Sequence, residues 1–177
     1  MKAWYFSNKD CKLRYDDGRL IEAGITHTIK STPKLCNRGL HASERVIDAL
    51  KYAPNSYIWF VNVSHKVDKG DDKICGQRRK YYWGFDASDV LRAFARKQAL
   101  INIEKAKPYF NSNSDYNLVV EFLMTGKADL RSAAESVAWS AAKSAAESVA
   151  KSAAESAANE MLETMIIAEA KRLGVYK

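Results

Sequence analysis

Catalytic signatures are what this sequence most plainly lacks. It has no phosphate-binding G-x-x-x-x-G-K-[ST] loop, no G-x-G-x-x-G turn, no G-x-S-x-G elbow and no paired carboxylates in a catalytic frame. Cys11, Cys36 and Cys75 are widely separated. Structural zinc sites normally show at least one short C-x₂₋₄-C spacing, so no metal is expected even if Cys36, His41, Cys75, His65 and Cys11 are considered together. A Cys36–His41 nucleophile pair lacks a third, orienting residue. No cofactor motif appears either. An odd cysteine count with no targeting segment at the N-terminus points to reduced thiols in a cytosol. No apolar run approaches the roughly 20 residues that cross a bilayer, so no membrane partner is expected.

What the chain does have is a basic front and a repetitive rear. Its apolar share of 47% and aromatic share of 11% are those of a chain with a core. The net charge of +7 lies wholly in residues 1–130, which hold 22 Lys and Arg against 15 Asp and Glu; residues 131–177 hold 6 of each sign. Such an excess favours an acidic partner, whether nucleic acid, nucleoprotein or acidic protein.

From Arg131 to Ala158 the sequence runs as seven four-residue units, each opening on a long side chain and continuing Ser-Ala-Ala or Ser-Val-Ala. Alanine is the best helix former, and the run holds no Gly or Pro, so helix is expected. Unbroken, it would extend about 42 Å. Arg131 with Glu135, and Lys143, Glu147, Lys151 and Glu155 in succession, are i, i+4 neighbours of alternating sign, which marks that side as wet. The Ala and Val positions, with Val137 and Val149, form a narrow apolar stripe, and Trp139 is the one bulky residue at a first position. A four-residue period overshoots the 3.6-residue turn by about 40° per unit, so the stripe winds around the helix. It is expected to serve as an interaction or oligomerisation seam, or to pack in part on its own globule.

Along the front, strands are expected at Lys2–Ser7, Lys12–Tyr15, Glu22–Ile29, Tyr57–Val63 and Ile74–Trp83. Helices are expected over Glu44–Tyr52 behind a Ser43 cap, over Ala87–Lys107 behind Asp86, over Leu118–Thr125 between Asp115 and Gly126, and over Met161–Leu173. Strands precede helices, so the class is α+β, with a small antiparallel or mixed sheet followed by one or more long Ala-rich helices. The expected division is a basic domain at 1–127 and a helical tail at 128–177.

Two features stand out as candidate sites. His41 follows a Gly and precedes a helix, where a side chain can project from a strand end towards a ligand, or tie down its own loop. The segment Lys73, Arg78, Arg79, Lys80, Tyr82, Trp83 interleaves cations with aromatic rings. That is the chemistry of phosphate neutralisation and base stacking, unless it is a charge-protected edge strand. Arg92 and Arg96 on the next helix would extend the patch.

The segments 36–43, containing Gly39-Leu40-His41-Ala42, then 48–53, 70–73 and 91–95, together with the Ala-rich tail, resemble a domain of unknown function common in bacteriophage and prophage proteins. The resemblance spans essentially the whole chain and implies a phage protein in the cytoplasm of an infected bacterial host. In that setting a non-enzymatic inhibitor of host defence is expected, anti-CRISPR-like, acting on a nucleic acid or nucleoprotein. His41, Ala49–Ala53 and Ile58–Val63 are also similar to ADP-ribosyltransferase-like folds. This second resemblance implies a nucleotide-using transferase with its pocket around His41, although no well-placed catalytic Glu is evident. A third reading is a homo-oligomer built on the Ala-rich helix.

Overall fold

The computed structural model describes residues 1–15, 17–134 and 151–176. The strands are β1 (Lys2–Ser7), β2 (Thr26–Thr28), β3 (Leu40–Ala42), β4 (Tyr57–Ser64), β5 (Asp68–Lys69), β6 (Ile74–Gly76) and β7 (Arg78–Asp86). The helices are α1 (Val46–Lys51), α2 (Ser88–Ala106), α3 (Asn113–Thr125), α4, described over 128–134, and α5 (Lys151–Arg172). One sheet runs β1-β4-β7-β2 and a second β3-β6-β5. Every strand pair is antiparallel. The protein is α+β. Residues 135–150 lie outside the described residues, and with them Val137, Trp139, Val149 and the expectation of one unbroken helix.

The described residues form two compact units, residues 1–90 with 155–177, and residues 91–154. Compactness and composition therefore divide the chain differently, because the end of the chain belongs with its beginning. In the second unit Ser112 caps α3 by accepting from the Asp115 backbone N–H at 3.1 Å, and Gly126 closes it at φ 67°. The expected start of that helix was too late by more than a turn.

In the first unit, the sequence pattern of 74–83 predicts a single strand that could stand at a sheet edge. The segment is neither single nor an edge. Gln77 separates β6 from β7, and β7 lies between β4 and β2. Strict alternation would send Arg79, Tyr81, Trp83 and Phe85 to one face. Instead the register against β4 shifts at Phe60/Val61, so Phe60 pairs with Trp83, Val61 pairs with Tyr81, and Tyr82 has no partner. A one-residue bulge sends every following side chain to the opposite face. Arg79 and Tyr81 thus share the inner face with Ala3, Trp59, Val61 and Val63, against Leu40, Ala42 and Ile74 of the second sheet. Trp83 and Phe85 share the outer face with Trp4, Phe6 and Ile58, all buried.

The C-terminal helix contributes to the same unit. Leu162, Ile166 and Ala170, at i, i+4 and i+8 of α5, are all fully buried. The ring of Tyr176 lies 5.6 Å from that of Trp83. Ser43, expected to cap α1, instead exchanges backbone hydrogen bonds with Trp4 at 2.7 and 3.0 Å. The cap position is Arg45, whose side chain makes no cap bond. The Ile47 N–H donates to Asn159 Oδ1 of α5 at 3.1 Å, so a helix 112 residues away in sequence satisfies a first-turn donor. The expected strand Lys12–Tyr15 reduces to a single bridge, Lys12 to Leu20, and Glu22–Ile29 to three residues. No helix among the described residues is long and apolar enough to cross a membrane.

Candidate functional site: a cationic cleft around His41 and Arg79

The first unit contains a cleft of about 810 Å³ between the inner face of the first sheet, β3 and the loops around them. That volume suits a small-molecule ligand. β3 delivers His41. Its flanking residues Leu40 and Ala42 face the core, and alternation turns His41 the other way. Gly39 leads into the strand at φ 139°, and a Cβ there would come within 2.9 Å of Cys75 Cβ. Only glycine serves both demands.

The Gly39 carbonyl can only accept, so its 3.0 Å contact with His41 Nδ1 places the imidazole proton on that nitrogen. Nε2 is then a bare acceptor. It is buried and has no hydrogen-bond partner among the described residues. Burial, and then the nearby Arg79 and Lys73 charges, push the His41 pKa down, so the ring is neutral at pH 7.

Arg79 lies at the floor, only 2% exposed. Its guanidinium stacks on the Tyr5 ring at 3.6 Å from the centroid. Nε donates to the Tyr81 hydroxyl at 2.7 Å, and Nη1 donates to the His41 carbonyl. The Tyr81 hydroxyl also lies within hydrogen-bond reach of His27 Nδ1, at 3.2 Å. Burial, and then the Arg19 and Arg79 charges, push the His27 pKa down. Among the described residues Arg79 has no carboxylate partner. Stripping water from a cation costs several kcal/mol, and a stacked ring with two neutral acceptors offsets only part of that.

More positive charge lines the walls. Lys73 Nζ sits 4.6 Å above the Tyr52 ring centroid and donates to its hydroxyl at 3.3 Å; the Cys36 thiol and this hydroxyl hold the ammonium well above the usual lysine range. Arg14 donates to the Tyr52 carbonyl and Arg38 to the Thr32 carbonyl. Neither meets a carboxylate among the described residues. Among the described residues Asp17 is the one acidic residue that lines the cleft, and it pairs with Arg19 at 2.6 Å.

The residues singled out in the sequence fall into separate places. His41, Lys73 and Arg79 meet in the cleft. Arg78, Lys80 and Tyr82 are exposed on the outer face, and Trp83 is buried among Trp4, Phe60 and Tyr176. Arg92 and Arg96 are on α2 in the second unit, where Arg96 packs against Gly126. Sequence reasoning missed Tyr5, Tyr52, Tyr81, His27, Arg14 and Arg38. The Arg79-x-Tyr81 alternation within an aromatic strand was the available signal, because it seats a cation at an inward position. Among the described residues no three His, Cys, Asp or Glu side chains gather as a metal site.

A family model described as a domain of unknown function, DUF7666, matches residues 1–93, just over half of the chain. The chain belongs to this family. The DUF7666 match takes in His41, Lys73, Arg79 and every other cleft residue named above. No curated protein and no solved structure matches the chain.

Proposed function

We propose that the cleft binds a phosphate-bearing nucleotide. The observation that carries this reading is the buried guanidinium of Arg79, which lacks a carboxylate among the described residues and donates to the His41 carbonyl, in a cleft that His41, with its unfilled Nε2 acceptor, also lines. A ligand that matches this floor supplies negative charge to Arg79, and its hydroxyl or amino donor reaches His41 Nε2 once the atoms that cover that nitrogen move aside. Arg14, Arg38 and Lys73 add sites for further phosphate oxygens, and the Tyr rings offer a wall for a base. Among the described residues no Glu lines the cleft, and the reading proposed is one of binding.

The experiment is a thermal-shift and calorimetric series with adenosine, AMP, ADP, ATP, NAD and inorganic phosphate. A nucleotide at a hundred times its Kd should stabilise the fold by about 2.7 kcal/mol, a shift of several degrees. The response should grow with phosphate count and fall in Arg79→Lys and His41→Asn. If no nucleotide at millimolar concentration moves Tm or releases heat, the reading fails.

A phage setting, with action on a host defence nucleoprotein, rests on the sequence resemblance. It would be carried by the exposed Arg78, Lys80 and Tyr82, while Arg79 and Trp83 are buried.

A further inference from the structure

The outer face of the four-stranded sheet changes character along its length. One end is aromatic and buried around Trp4, Trp83 and Phe85. At the other end, the rows Lys2–Asn62–Lys80–Thr26 and Ser64–Arg78–Thr28 run across the strands. Direct partners in a ladder share a face, so these side chains form one surface. Lys2, Lys80, Arg78, Thr26 and Thr28 are exposed.

None of the three cations has a carboxylate partner among the described residues, whereas Arg19, Lys51, Lys69, Lys127 and Arg172 all do. Strands are about 4.8 Å apart and alternate residues about 7 Å apart, so the charges lie roughly 7–12 Å from one another.

The bulge sets an aromatic ring among them. Tyr82, left without a partner in β4, is 36% exposed. Its ring lies 5.8 Å from that of the outer-face Phe60, with Lys80 Nζ 5.7 Å from its centroid. An exposed ring flanked by unpaired cations on an open sheet face is a stacking platform with phosphate sites around it.

We propose that this surface docks single-stranded RNA. Lys2, Lys80 and Arg78 neutralise phosphates, and one base stacks on Tyr82. The exposed Thr26 and Thr28 hydroxyls, with Asn62 and Ser64 in the same rows, supply groups that pair with 2′-hydroxyls, which is why the surface is assigned to RNA and not DNA. The inference is independent of the nucleotide reading, because no residue of the patch lines the cleft.

The test is fluorescence anisotropy of the full chain with a labelled 12-nucleotide single-stranded RNA at 50 and 200 mM salt. Three neutralised phosphates give a log–log slope of about −2 for a single strand, so affinity should fall about 15-fold over that range. Tyr82→Ala should weaken binding about tenfold or more, and Lys80→Glu with Arg78→Glu should abolish it. All three substitutions are at exposed outer-face positions, so circular dichroism and any nucleotide-induced Tm shift should stay as in the parent. His41→Asn should leave RNA affinity unchanged. The proposal is overturned by absence of RNA binding, by equal affinity for the same sequence as DNA or as a duplex, by comparable binding of an acidic peptide, or by full affinity in the Lys80→Glu, Arg78→Glu protein.

Discussion

At the scale of single residues, the two histidines tied to Arg79 make stability depend on pH. Both His41 and His27 have pKa values pushed below the ordinary histidine value, chiefly by burial and in part by the Arg79 charge. The unfolded chain therefore takes up protons first as pH falls. Stability is full above about pH 6.5 and declines below it, towards the lower folded values. The carboxylates act in a different window. Asp86, held down to about 2 by Ser56 and Ser88, loses its contribution only below about pH 4. The urea midpoint should be level between pH 8 and 7 and fall from about 6.5 to 5. His27→Gln should reduce that slope. A midpoint flat down to pH 5 would show that the rings are not held neutral. His41 was legible in the sequence because a histidine between a Gly and a helix is unusual. The cluster around Arg79 was not, since Tyr5 of β1 and Tyr81 of β7 meet its guanidinium and His27 of β2 joins through the Tyr81 hydroxyl.

At the scale of elements, β1 and β4 were legible because aromatic and β-branched residues run unbroken between turn signals. The ends of α2 were also legible within one residue, and Asp86 does accept from the Ser88 N–H at 3.0 Å. β7 was not, because a bulge carries no residue signature of its own. The alternation Arg79-x-Tyr81-x-Trp83 reads as one face until the partner strand is known. Gly84 shows how closely the strands pack past that point. It is paired with Trp59, and a Cβ there would come 2.5 Å from Trp59 Cδ2 and Cε3. The indole cannot simply move aside, because its Nε1 donates to Ser7 Oγ at 3.1 Å and the residue is 4% exposed. Gly84→Ala should therefore cost about 1–3 kcal/mol as an overpacked core. Urea titration followed by tryptophan fluorescence measures this, and an unchanged midpoint would mean that β4 and β7 separate more easily than their pairing implies.

At the scale of the whole molecule, family and compact unit do not end together. The DUF7666 match stops at residue 93, whereas the unit that holds the cleft also includes residues 155–177. Composition drew the boundary at residue 127 because charge and repeat change there. It could not show that a helix beyond the repeat returns to the first unit, since Leu162, Ile166 and Ala170 make an ordinary amphipathic stripe wherever they pack. Full burial of that stripe contributes about 1.5–3 kcal/mol for each of the two large side chains. Asn159 adds a capping bond to α1, and Tyr176 covers Trp83. Against a typical total of about 5–15 kcal/mol, losing all of these at once removes much of the margin. A chain of residues 1–93 should consequently unfold at low urea with a broad transition and bind a hydrophobic dye at its bared aromatic face. Adding residues 155–177 as a separate peptide should sharpen the transition and displace the dye, and Leu162→Ala with Ile166→Ala in that peptide should abolish the rescue. If residues 1–93 alone unfold as cooperatively and at the same midpoint as the full chain, α5 is an accessory to the domain and not part of its core.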